Sequence, residues 1–300
     1  MAHTLGHSQY GKAETRVVRV YRDRDPHELV DLNVSVALSG DFADSHLTGD
    51  NARVLTTDAV KNTVFAYAQE HAEAARSPES FGLVLARHFV DDVPQVTRAR
   101  VRIEQHPWRR LAAGGEPAPH AFVRDGQLVR TSTVTCEAGR AHVVTGLRDL
   151  VVLKTTDSEF AGFYEDRYTT LQPTTDRVMA TSVDAQWWHT GGAVEWGTAF
   201  EAARQALCEA FAASYSRALQ QTLFEMGSAV LDAVPGVGEV RLSLPNRHHF
   251  AVDLSPFGLD NPNEVFFAAD RPYGLIEGTV RREGAPEPGP AFDPGQGWSA

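Results

Sequence analysis

Between two apolar, strand-like runs at residues 237–244 and 250–254, the chain places Pro245, Asn246, Arg247, His248 and His249 in succession. An amide, a guanidinium and two imidazoles behind a rigid proline can supply a donor for developing negative charge and a carrier for protons. Along a strand, side chains alternate faces, so Asn246 and His248 share one face and Arg247 and His249 the other. Alternation separates the two pairs without saying which of them faces a site. A polar strand end facing water is the plain alternative. The same alternation stops two adjacent imidazoles from ligating one ion, and the chain has no HExxH or CxxC pattern, so no metal site is expected. No GxGxxG or Walker loop points to a nucleotide cofactor.

Other residues could join this chemistry. Lys12 follows Tyr10 and Gly11; most such lysines are solvated charges, but one that loses its proton through burial can deprotonate a neighbouring hydroxyl. Thr57 offers that hydroxyl. Thr57 and Asp58 also suit a helix start, which caps the backbone and favours an anion. Phe160 opens the run Phe160-Ala161-Gly162-Phe163-Tyr164, a packing cluster or a platform for a planar ligand. Arg177 can pair with a carboxylate or grip a planar anion with two parallel hydrogen bonds. Gln220, beside Leu219, can present both amide donor and acceptor to a ring edge.

Alternation and punctuation predict the elements that position these groups. Residues 15–21 and 31–38 read as a strand pair, followed by a helix over 58–76 capped by Thr56 or Thr57. A second helix begins at Ser77-Pro78-Glu79. Arg98, Arg100 and Arg102 alternate with apolar residues on the next strand, whose wet face suggests a solvent-filled bore. Gly126 predicts a hairpin joining residues 121–123 to 127–136. Strands at 141–153 and 177–188, helices within 200–234 broken near 214–216, and strands at 238–244 and 250–254 repeat the order. Thr56-Thr57-Asp58 is echoed by Thr174-Thr175-Asp176. The expected organisation is α+β, with domains at 1–140 and 141–283, and a disordered Pro/Gly-rich tail at 284–300.

Composition narrows the classes. The formal charge of −11 argues against a phosphate-backbone binder, and no apolar run is long enough to span a bilayer. Two cysteines without a paired spacing, and an N-terminal segment without an apolar core, suit a cytoplasmic protein.

These segments together resemble the urate oxidase (uricase) family, in particular its bacterial form, over residues 10–283. The carriers are Tyr10-Gly11-Lys12, Gly49-Asp50-Asn51, Thr57-Asp58 with Lys61-Asn62-Thr63, and Leu153-Lys154-Thr155. Further ones are Tyr168-Thr169-Thr170-Leu171, Asp176-Arg177, Leu219-Gln220-Gln221-Thr222, Ser243-Leu244-Pro245-Asn246-Arg247-His248 and Asn261-Pro262-Asn263-Glu264-Val265-Phe266. The resemblance implies two tandem tunnelling-fold (T-fold) domains, each an antiparallel sheet with two helices on its outer face, closing into a barrel tunnel in a homotetramer. It implies oxidation of urate by O2 and water to 5-hydroxyisourate and hydrogen peroxide, with no cofactor, at subunit interfaces.

By position, the resemblance makes Lys12, Thr57 and His248 the proton relay, with Thr57 and Asp58 contributed by a neighbouring subunit. Phe160 stacks on the purine, Arg177 and Gln220 grip its edges, Leu219 adds backbone and apolar contact, and Asn246 sits over the ring where O2 and water bind. Leu219 replaces a frequent Val, and Arg247 a frequent Lys. The rival readings are a pterin enzyme of the same fold, generally single-domain and often zinc-dependent, and a purine-binding protein without turnover, which needs no relay.

Overall fold

Leu32, Val34, Val36 and Leu38 alternate along strand β2 (Glu28–Gly40), and all four are buried. The computed structural model describes residues 3–23, 25–269 and 271–293. β2 pairs antiparallel with β1 (Tyr10–Tyr21) on one side and β3 (Val96–His106) on the other. Helix α1 (Ala43–Leu47) is one short turn. The two longer helices, α2 (Thr57–Glu70) and α3 (Pro78–Asp91), lay Val60, Val64, Phe81, Leu85 and Phe89 into a core shared with Val101 and Ile103. Each such side chain contributes about 1.5–3 kcal/mol on burial.

The chain separates into two compact units. The first holds residues 1–146, Trp188–Gly197 and the segment from Pro286; the second holds Leu147–Trp187 and Thr198–Ala285. In the first, β3 pairs antiparallel with β6 (Val129–Glu137), and the strand order β1-β2-β3-β6 continues to β7 (Arg140–Lys154), which runs on into the second unit. There the order is β7, β8 (Met179–His189), β9 (Val237–Pro245) and β12 (Leu275–Arg281). Helices α4 (Trp196–Ala213) and α5 (Leu219–Ala233) come between β8 and β9 in the chain. Gly227 of α5 approaches the sheet so closely that a Cβ there would lie 2.6 Å from Val280. A side chain at that position would push helix and sheet apart. The expected strand-strand-helix-helix-strand-strand order therefore recurs, with the helix break falling at Ser214–Ala218 between α4 and α5.

Several expectations are corrected. The hairpin at Gly126 does not form. β5 (Glu116–Arg124) instead folds back on β4 (Trp108–Ala113) around Gly114 and Gly115, both at positive φ. The exposed residues of β4 and β5 suit an outlying hairpin, whereas β6 is buried almost throughout and takes the interior place beside β3. Helix α2 stops at Glu70 instead of 76. Arg76 lies over the Tyr21 ring at 3.8 Å and pairs with Glu28 and Glu73, while Tyr21 donates to the Ala72 carbonyl at 2.7 Å, which turns the chain back onto β1 and β2.

The arginine face of β3 is part-buried and paired. Arg98 pairs with Asp293 at 3.0 Å and Glu137 at 3.4 Å, Arg100 donates to the Asp293 carbonyl at 2.6 Å, and Arg102 pairs with Glu104 at 3.0 Å. The same contacts correct the disordered tail. Residues Gly289–Phe292 form a 3-10 turn, and Ala291 is buried with Val144, Trp188 and Phe292. Residues 294–300 lie outside the described residues. The echoed triplets also differ: Thr56 caps α2, whereas Thr174 pairs with Phe160 in a loop and donates to the Asp176 carbonyl at 2.8 Å.

Candidate active site

The second unit contains a cavity of about 420 Å³ lined by Phe160, Arg177, Leu219, Gln220, Asn246 and His248, among others. Its size lies within the usual range for small-molecule sites, about 300–1,000 Å³. A larger cavity of about 960 Å³ in the first unit, bordered by residues 3–8, Ala43, Leu47, Arg98 and Glu137, has no Phe, Tyr or Trp in its wall. The chemistry therefore belongs to the smaller one.

Its aromatic wall is built by local pairing. Phe160 and Thr174 exchange backbone hydrogen bonds at 2.8 and 3.0 Å, closing the intervening loop on itself. The Phe160 ring stacks on Phe163, with centroids 5.1 Å apart and planes 19° from parallel. Arg177 carries its guanidinium over the same ring at 5.3 Å, a cation–π arrangement. Its Nε donates to Ser158 Oγ at 3.2 Å. Burial lowers the proton affinity of Arg177, yet a guanidinium stays charged at neutral pH.

Opposite chemistry comes from a helix start. Leu219 is buried and Gln220 exposed in the first turn of α5, whose N-cap, Ala218, has no side-chain acceptor. Uncapped N–H groups at a helix N-terminus favour a bound anion. The polar wall follows the end of β9. The Asn246 N–H donates to the Gly274 carbonyl and the Arg247 N–H to the Ala180 carbonyl, both at 2.8 Å, so this turn is held on two sides.

His248 then opens β10 (His248–Ala251), which pairs with β11 (Phe266–Ala269) in a separate two-stranded sheet. The His248 ring stacks on Phe250 at 5.6 Å. Burial, then the charges of Arg177 and His249, lower its pKa from the ordinary histidine value, so the neutral, proton-accepting imidazole dominates at neutral pH.

Simple alternation fails in this segment. Asn246 and His248 do face the cavity together, and Arg247 lines a neighbouring cavity of about 590 Å³ instead. His249, expected on the face opposite Asn246 and His248, borders both cavities. The reason is that β9 ends at Pro245 and β10 begins at His248 with a different partner, so no single strand carries all four residues. Phe250, Phe266, Asn263 and Ile276 also line the cavity and were not legible as site residues, although Asn263 and Phe266 fall in a segment that carries the resemblance.

Lys12, Thr57 and Asp58 form a second group, in the first unit. Lys12 sits at a break in the β1–β2 register between Lys12 and Thr15, where Glu14 adopts φ 55. Gly11 beside it passes so close to β2 that a Cβ would meet the Val36 carbonyl oxygen at 1.9 Å. Thr56 accepts the Ala59 N–H and is the cap of α2, so Thr57 is the first helical residue and its hydroxyl is not spent on capping. Asp58 binds Lys61 and Asn62. Its pKa is lowered first by Lys61 and in part by the charge of Lys12.

Comparison with known proteins bears on the family and the fold. The family model for uricase matches residues 8–135 and 143–277. Uricase from Arthrobacter globiformis is 48% identical over 281 residues, covering 94% of this chain and 91% of that protein. Uricase from Dictyostelium discoideum is 40% identical over 283 residues, covering 93% and 98%. The crystal structure of the Arthrobacter globiformis uricase superposes with a TM-score of 0.91 at 47% identity, covering 96% of this chain and 98% of that one. A Bacillus sp. TB-90 urate oxidase at 21% identity shares the fold with a TM-score of 0.79. The α+β tunnelling fold expected from the sequence is thus that of solved uricases. On a match that spans nearly all of both halves, the chain belongs to the uricase family.

Proposed function

We propose that the chain is a urate oxidase whose second-unit cavity holds the purine ring and whose relay is completed by Lys12 and Thr57. The observation that carries this reading is the convergence of the Phe160 ring, the Arg177 guanidinium, the α5 N-terminus with Gln220, and Asn246 with His248 around one small-molecule cavity. In a homotetramer with active sites at subunit interfaces, Thr57 and Asp58 reach the ring from a neighbouring copy. Their separate grouping with Lys12 supports such a division of labour.

Urate is a monoanion at neutral pH. Arg177 and the α5 N-terminus offset its charge, and Phe160 sets its plane. The relay of Lys12, Thr57 and His248 removes a second proton, leaving a dianion rich enough in electrons to reduce O2 directly. Two electrons pass to O2, which takes two protons and leaves as hydrogen peroxide. Water, oriented by Asn246 and deprotonated by the relay, then adds its hydroxyl to the oxidised ring to give 5-hydroxyisourate. None of these steps calls for a cofactor. The test uses chelator-treated protein and follows loss of urate's ultraviolet absorbance together with peroxide release. Matching rates are expected. Tight urate binding with neither signal changing would overturn the reading.

A further inference from the structure

Ser158 is fully buried, and its hydroxyl has one partner among the described residues, the Nε of Arg177 at 3.2 Å. The Ser158 carbonyl accepts the Arg177 backbone N–H at 3.0 Å. A guanidinium presents its donors in a planar fork. With Nε held from behind, rotation about the last side-chain bonds is restricted, and the two terminal nitrogens form the edge that meets a ligand. The same segment reaches the opposite wall. Ser158 forms a parallel bridge with Ser216, flanked by Glu159 N–H to the Ser216 carbonyl at 2.8 Å and Ser216 N–H to the Asp157 carbonyl at 2.9 Å. Ser216 is also fully buried, and its Oγ lies 2.8 Å from Thr222 Oγ1 in the first turn of α5, which carries Leu219 and Gln220.

We infer that Ser158 is a positioning residue that aims Arg177 and, through Ser216, sets the gap between Arg177 and Gln220 to the width of the substrate ring. A buried serine in a loop most often satisfies nearby backbone groups. Here the backbone pairing of Ser158 with Ser216 uses main-chain atoms only, so the hydroxyl is left for Arg177. The inference rests on Arg177 gripping urate, as proposed above, and Ser158 acts on substrate only through it.

Ser158→Ala keeps the main-chain bonds and removes the hydroxyl. The KM for urate should rise about fivefold to tenfold, the scale of one ordinary hydrogen bond, with kcat within about twofold of the parent. Ser158→Cys refills the space with a poor acceptor and should behave alike, which guards against a cavity defect in the alanine variant. In an Arg177→Ala background, adding Ser158→Ala should raise KM by less than about twofold, because the two residues act as one unit.

If Arg177→Ala raises KM but both Ser158 variants keep the parental value, the inference fails while the site reading stands. If the Ser158→Ala increase multiplies undiminished onto Arg177→Ala, Ser158 acts on the fold instead of on Arg177, and the inference fails again. An Arg177→Ala enzyme with parental KM removes the site reading itself and the inference with it.

Discussion

The guanidinium of Arg177 stands 5.3 Å from the centroid of the Phe160 ring. A planar anion lying against that ring would therefore have the positive charge within reach. Platform and clamp come from segments 17 residues apart, brought together by the Phe160–Thr174 pairing and by the Ser158 hydrogen bonds to Arg177.

Arg177→Ala should weaken urate binding far more than it slows turnover. Losing a charge-assisted contact costs about 1.5–3 kcal/mol, or roughly tenfold to a hundredfold in KM. Steady-state kinetics with urate as the varied substrate measure this directly, and an unchanged KM would contradict the role of Arg177.

The adjacent threonines at the head of α2 should separate cleanly. Thr56 accepts the Ala59 N–H at 3.1 Å, so Thr56→Ala should lower stability by about 1 kcal/mol with kcat retained. Thr57→Ala should leave the melting temperature near that of the parent and lower kcat by about a hundredfold, the scale of general acid–base assistance. Calorimetry and turnover measured on the same two variants decide the matter. A Thr57→Ala enzyme with normal kcat would remove that residue from the relay.

Stability should fall in mild acid through His189. This ring is buried, with Nε2 3.2 Å from Thr145 Oγ1, which in turn donates to the buried Glu79. Burial, with a smaller contribution from the Arg130 charge, lowers its pKa from 6.5 to about 4. The folded state therefore resists protonation while the unfolded state accepts it below pH 6.5. The stabilisation is complete above that value and is lost as pH falls toward 4, by about 2 kcal/mol at pH 5. Urea midpoints at pH 7 and pH 5 should differ in the parent and converge in His189→Gln. Equal pH dependence in the two proteins would rule out His189 as the source.

Much of the architecture was legible because its signals are local. Ser77-Pro78 marks a helix start wherever it occurs, and α3 begins there with Ser77 accepting the Ser80 N–H. The alternation at 98–103 marks a two-faced strand, and β3 has that form. The Gly126 turn was misread because turn chemistry identifies a reversal but not which strand lies beside which. β6 is a central strand because both of its edges are paired, one with β3 and the other with β7, which no local signal specifies. Strands β11 and β12 and the short α1 gave too little periodicity to be seen.

The site divides in the same way. Residue types and spacing along the chain determined which groups could bind a planar anion and move its proton: Lys12, Thr57, Phe160, Arg177, Gln220, Asn246 and His248. They also determined that Asn246 and His248 would share a face, since two residues of extended chain return a side chain to the same side. Only the tertiary structure decided that His249 joins the cavity wall, because the change of pairing partner between Pro245 and His248 breaks the alternation. It likewise decided that Asp293 neutralises Arg98 and that Ser158 holds Arg177, contacts spanning 195 and 19 residues. Local sequence carries propensity and chemistry; partners distant in the chain are chosen by burial and by the hydrogen bonds that burial makes obligatory.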